Sequence, residues 1–145
     1  MFVAGADGCR APQGWVCFNV NVTSLATSVV VIELRSLLNN RPSDLAFLGI
    51  DIPIGLLDGS RACDKAARKL LGQPRGAAVF PAPCRATLTA KNHTEANAIN
   101  RQKTGKGLSQ QAFGIAPKIK QVGDAITPES QHWASRCTPR SASGR

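Results

Sequence analysis

The sequence predicts an α/β fold in which a mixed sheet is laid down in the order β-β-β-α-β and helices follow. Three observations predict it. Phe2-Val3-Ala4-Gly5-Ala6-Asp7-Gly8 and Phe47-Leu48-Gly49-Ile50-Asp51 are short apolar runs that each deliver an aspartate to the end of a strand. The links among the first three apolar runs are short and built from turn-forming residues, whereas twelve residues separate Leu34 from Phe47. Short links join antiparallel neighbours, and a parallel return needs a longer crossover. Beyond residue 108, Ala112, Phe113, Ile115, Ala116, Ile119, Val122 and Ile126 keep the spacing of one helix face.

Taken in order, the first strand is Phe2 to Asp7, and Gly8 to Gly14 is a turn by its Gly and Pro content. Trp15 to Val20 is a second strand, rich in residues that pack on a pleated face. Asn21 to Thr27 turns the chain into Ser28-Val29-Val30-Val31-Ile32-Glu33-Leu34, a nearly all-apolar third strand expected in the interior. The first three strands therefore form an antiparallel meander. The link to Phe47, with Leu37, Leu38 and Ser43 as a cap before Asp44-Leu45-Ala46, has the length of a crossover helix. If the fourth strand returns beside the first, Asp7 and Asp51 emerge at the same end of strands about 5 Å apart. Both carboxylates can then share one metal ion. A carboxylate ending a single apolar strand is more often a turn cap, and it is the repetition of the design that points to a site.

Residues 60–72 read as a helix with Ser60 as N-cap and Gly72 as terminator. Arg61, Asp64, Lys65 and Arg68 share one face. That face is either solvated, with Asp64 and Arg68 an ordinary i,i+4 pair, or a phosphate contact in which Asp64 orients an arginine. Gln73-Pro74-Arg75-Gly76 is a turn, and Pro81 and Pro83 keep Val79 to Cys84 extended. A polar helical stretch runs from Arg85 toward Arg101, interrupted around Asn92-His93. Arg101, Lys103 and Lys106 cluster about Gly105 and Gly107. Thr104-Gly105-Lys106-Gly107 is not a nucleotide phosphate loop, because position 100 is not glycine, Gly107 replaces Ser/Thr and no strand leads in. A basic flexible loop remains. Ser109 then caps the amphipathic helix, Pro117 kinks it, and Lys118 and Lys120 point away from Ile119.

Bulk properties bound the function. The chain has 145 residues, enough for one domain with a real core, and 43% hydrophobic content. No run is long enough to span a membrane, and the N-terminus lacks the pattern of a secretory signal. Five cysteines without a C-x-x-C pair read as reduced thiols in a cytoplasm, and make a zinc site a poor fit. The net charge of +9 is uneven, at −2 over residues 1–60 and +10 over residues 61–120. This split suits a metal site beside a surface for a polyanion, or a solubilising basic face. His93 and His132 lie in polar stretches and no serine sits in a strand-to-helix elbow, so serine or cysteine hydrolase chemistry fits badly.

The residues Ala4-Gly5-Ala6-Asp7-Gly8-Cys9-Arg10, Gly14-Trp15-Val16 and Gly49-Ile50-Asp51-Ile52-Pro53-Ile54-Gly55-Leu56 resemble the family called domain of unknown function 429. The likeness continues through Arg61 to Arg68, Val79-Phe80-Pro81-Ala82-Pro83, Arg85, Thr104 to Phe113 and Pro117-Lys118-Ile119. It covers roughly residues 2–126 in separate, fairly specific blocks. The family is regarded as a group of predicted nucleases with a ribonuclease H-like fold. The resemblance implies a divalent-metal-dependent phosphodiesterase using Mg²⁺ or Mn²⁺, with several carboxylates on two ions. Asp7 and Asp51 are the expected metal ligands and, with Asp64, the expected catalytic residues. Asp58 and Asp64 are weaker substitutes for a third ligand, which is expected from beyond residue 126. Arg10, Arg61, Arg68, Arg85, Lys106 and Lys118 are the expected contacts to nucleic acid or another phosphate-bearing substrate, DNA and RNA both remaining open.

Two other classes stand beside this one. The basic segment 61–120 fits a nucleic-acid-binding module without catalysis. An actin- or sugar-kinase-like ATPase shares the Asp-Gly turn after the first strand but needs a second glycine-rich phosphate loop, which is not found. The family usually continues past residue 126 through another strand with a His-Pro-Glu type motif. Here residues 127–145 turn Ser/Arg/Pro/Gly-rich, so the expectation is a partial ribonuclease H-like domain over 1–126 followed by a disordered tail, as in a truncated or frame-shifted product. Loss of the last part would weaken or abolish activity, and would leave an open sheet edge for another chain.

Overall fold

A computed structural model describes residues 1–9, 14–79 and 81–136. The chain divides into two compact units, Met1–Ile54 with Gln121–Pro139, and Gly55–Lys120 with Arg140–Arg145.

The first unit is built on a five-stranded mixed sheet with strand order β3-β2-β1-β4-β5. Strands β1 (Phe2–Gly8), β2 (Gly14–Asn21) and β3 (Thr27–Glu33) form the expected antiparallel meander. Strand β4 (Leu45–Ile50) returns parallel to β1, pairing Gly5 with Gly49 and Ala6 with Ile50. The crossover differs from expectation. Helix α1 takes the first half of the link, Leu34–Asn39, and Ser43 lies in a turn rather than capping a helix. Pro42 disfavours helical backbone at Arg41, and Leu45, only 1% exposed, belongs to the strand.

The segment after residue 126 is a second correction. Thr127 and Ser130 exchange hydrogen bonds, the Thr127 N–H donating to Ser130 Oγ at 2.8 Å and the Ser130 N–H to Thr127 Oγ1 at 3.2 Å. A 3₁₀ turn follows at Ser130–His132, and β5 (Ala134–Arg136) pairs parallel with β4 from Leu48–Ala134 to Ile50–Arg136. The disorder expected of residues 137–145 lies outside the described residues.

One face of the sheet is core. Ala4, Ala6, Trp15, Cys17, Leu48 and Ile50 are buried on it, with Leu34, Leu38, Val122 and Ala134 buried as well. Each fully buried large side chain contributes roughly 1.5–3 kcal/mol. The Trp15 indole N–H donates to Gln121 Oε1 at 3.2 Å, which brings the end of helix α5 (Ala116–Ala125) to this face. The opposite face is open. Phe18, Val29, Val31 and Phe47 are all exposed, so β3 is a surface strand and not the interior one its apolar run predicts.

The second unit is helical and irregular. Helix α2 (Ala62–Leu71) has Arg61, not Ser60, at its N-cap, with no side chain accepting there, and Gly72 at its C-cap. A 3₁₀ turn at Arg75–Ala78 follows. The polar stretch from Arg85 resolves into a 3₁₀ turn, Arg85–Thr89, and helix α3 (His93–Thr104). The interruption at Asn92 is a cap, because its Oδ1 accepts from the Glu95 N–H at 2.9 Å while Glu95 Oε2 accepts from the Lys91 N–H at 2.8 Å. Ser109 caps α4 (Gln110–Gly114) as expected, its Oγ accepting from the Ala112 N–H. The chain breaks at Ile115 before α5 resumes, where Pro117 has no N–H to donate to the preceding turn.

Candidate functional site

The site follows from the register of β1 and β4. Ala6 and Ile50 are paired and turned into the core, 2% and 0% exposed. Side chains alternate along a strand, so the next residue on each, Asp7 and Asp51, projects to the open face. The Asp51 N–H donates to the Ala6 carbonyl at 2.9 Å, which carries the ladder one step beyond β4. Both aspartates are exposed. Asp7 and Asp51 thus lie at the C-terminal ends of adjacent parallel strands, the strand arrangement expected from the sequence.

The donor set is hard oxygen only, which suits Mg²⁺ or Mn²⁺. Among the described residues, no group of three or more His, Cys, Asp or Glu side chains comes together. Asp7 and Asp51 are fewer than the several carboxylates expected of a two-ion cluster, and would suit one ion that keeps several waters, as Mg²⁺ does. Arg10, expected to meet the substrate near this turn, lies outside the described residues.

The remaining candidates belong to the second unit, and three of them, Asp64, Arg68 and Arg85, hold backbone. Asp64 is 7% exposed, and its Oδ2 accepts from the Ala82 N–H at 3.3 Å while Arg61 Nε lies 3.9 Å away. The carboxylate thus ties α2 to the extended segment after Phe80. Arg68 does not form the i,i+4 pair with Asp64 that a solvated face would carry. Its Nε and Nη2 both donate to the Val79 carbonyl, the first at 2.7 Å. Gly76 is close to the same turn, and a Cβ there would lie 2.9 Å from the Arg68 carbonyl oxygen. Arg85 repeats the device, with Nε and Nη2 donating to the Leu56 carbonyl at 3.0 and 2.7 Å. Arg61 is different. Its side chain is 10% exposed and its Nη1 is buried with no acceptor among the described residues. Asp58 and Lys106 are exposed, and Lys118 is half-buried on α5.

The loop around Gly105 is held rather than free, which corrects the flexible loop expected there. Gly105 closes α3 in the left-handed conformation at φ 73°. Asn100, 5% exposed, accepts from the Cys84 N–H at 2.9 Å and donates to the Lys106 carbonyl at 2.9 Å and to Thr104 Oγ1 at 3.3 Å. Asn97 Oδ1 accepts from the Leu108 N–H at 2.8 Å. Sequence reading missed Asn100, since an asparagine in a polar helix carries no mark of burial. Around this frame, Arg101, Lys103 and Lys106 are exposed, and residues 55–120 carry twelve lysines and arginines against three acidic residues.

Among the described residues no helix is long and apolar enough to cross a membrane. No curated protein and no solved structure matches the chain. The model of the family described as protein of unknown function DUF429 matches residues 5–139, nearly the whole length, and the chain belongs to that family.

Proposed function

We propose that the chain is a divalent-metal-dependent phosphodiesterase of ribonuclease H-like type, acting on nucleic acid or another phosphate-bearing substrate. The observation that carries this reading is the placement of Asp7 and Asp51 on one open face at adjacent strand ends. The β-β-β-α-β order and the β3-β2-β1-β4-β5 sheet support the fold half of it. Asp7 and Asp51 would hold Mg²⁺ or Mn²⁺, which when bound activates water and offsets charge on a phosphate. The exposure of both carboxylates leaves room for a substrate to approach. Of the three arginines expected to contact phosphate in the second unit, Arg61 is the one that holds no backbone carbonyl among the described residues, and Asp64 lies 3.9 Å from its Nε. Arg68 and Arg85 contribute by holding backbone in the second unit, at Val79 and Leu56.

Calorimetric titration of MgCl₂ and MnCl₂ into the parent chain and into Asp7→Asn and Asp51→Asn tests the reading. Binding to the parent and its loss in both variants is expected, followed by metal-dependent cleavage of labelled DNA or RNA. A parent chain that binds neither ion ends the proposal.

A second reading rests on its own observation, the excess of basic residues over 55–120 with Arg101, Lys103 and Lys106 exposed. On that reading the chain binds nucleic acid without cutting it. Binding that survives EDTA and weakens steeply with salt, with no cleavage, would distinguish it.

A further inference from the structure

The two edges of the sheet are unlike. At one edge lies β5, Ala134–Arg136 among the described residues, which carries a charge at Arg136. At the other edge lies β3, seven residues, Thr-Ser-Val-Val-Val-Ile-Glu, paired on one side only among the described residues. It has no proline, no lysine and no charge before its last residue. Val29, Val30 and Val31 are 59%, 43% and 69% exposed, so the strand is bare on both faces as well as along its backbone. A long, apolar, unprotected edge is a template for another strand.

We propose that β3 pairs antiparallel with β3 of a second copy of this chain, joining the two sheets about a two-fold axis at Val30. The strand's own sequence selects that occupant. Full overlap of Thr27–Glu33 with itself sets Val30 against Val30, Val29 against Val31, Ser28 against Ile32 and Thr27 against Glu33. Identical apolar side chains therefore meet at the centre, and the one charge, Glu33, faces a threonine rather than its own copy. Like charges directly opposite are destabilising, and this register opposes none. An isologous contact of this kind closes after two copies. It occupies the edge of β3 and is independent of the metal-site reading.

Sedimentation equilibrium of the full chain tests the proposal, together with Val30→Lys, which sets two ammonium groups against each other across the axis. The parent is expected to form a reversible dimer, and Val30→Lys to associate at least tenfold more weakly. Hydrogen exchange on the parent alone adds a readout that does not depend on the variant folding. Amides of residues 27–33 are expected to exchange more slowly as protein concentration rises. A chain that stays monomeric at high concentration, assembles without limit, or dimerises equally well as Val30→Lys overturns the proposal. So does exchange over 27–33 that does not change with concentration.

Discussion

The Asp51 N–H donates to the Ala6 carbonyl at 2.9 Å, and this one bond sets Asp51 beside Asp7 at the end of the β1–β4 ladder. Two like charges on neighbouring strands repel in the absence of a cation, by a few tenths of a kcal/mol up to about 1. With the metal chelated, Asp7→Asn and Asp51→Asn are therefore expected to match or slightly exceed the parent in urea resistance. In saturating MgCl₂ the order reverses, because only the parent gains stability by binding. Urea titrations in EDTA and in MgCl₂ check both signs. A variant weaker than the parent in EDTA would mean that its carboxylate holds backbone and not metal.

Arg68 and Arg85 each place two N–H groups on one carbonyl, those of Val79 and Leu56. Lysine has no planar fork with which to repeat this contact. Arg85→Lys and Arg68→Lys are each expected to cost about 1–2 kcal/mol in urea unfolding. Lys106→Ala, at an exposed side chain, should stay within about 0.5 kcal/mol. Were the two arginines only phosphate contacts, their substitution would weaken substrate binding and leave stability alone.

The parts of this fold legible in the sequence are those set by local rules. Strand period and link length foretold the β1–β2–β3 meander, the parallel return of β4 and hence the placement of Asp7 and Asp51 at the same end of adjacent strands. The cap at Ser109 and the break near Pro117 were equally local. What escaped depends on partners far along the chain. Ala134-Ser135-Arg136 has no apolar run, and it is a strand because β4 offers it a ladder. Arg68 finds its carbonyl 11 residues away and Arg85 finds its own 29 residues away, so from sequence Arg68 read as a partner of Asp64 or of phosphate, and Arg85 as a phosphate contact. β3 read as interior because its residues are apolar, yet its position at the sheet edge exposes them.

Asn100 ties the segment at Cys84 to the end of α3 at Thr104 and to the loop at Lys106 that follows it. Asn100→Ala leaves the Cys84 N–H and the Lys106 carbonyl without this partner, and about 2–3 kcal/mol of stability should be lost. Asn100→Asp retains an acceptor for Cys84 but turns a carboxylate oxygen toward the Lys106 carbonyl. It is expected to be no better than alanine at neutral pH. Urea unfolding gives the magnitudes, and hydrogen exchange at residues 104–108 should rise in both variants. Unchanged exchange there would show that Gly105 and Thr104 hold the loop without Asn100.

Cys17 lies 2% exposed on the core face of β2, and burial pushes its thiol above the ordinary value of 9.0. The sign of the consequence follows from which form the fold prefers. The protonated thiol is favoured in the folded chain, so its contribution is full below the unfolded value and is lost as pH climbs through the raised one. Stability is expected to decline in alkaline solution above pH 9.0, and Cys17→Ala should flatten that part of the curve while lowering the neutral plateau. Thiol labelling at pH 8 reads the same burial without unfolding. Cys63, exposed on α2, should react first, with Cys17 and Cys84 protected until the chain opens. Rapid labelling of Cys17 in the native chain would place β2 at the surface, and with it remove the register argument that turns Asp7 and Asp51 outward together.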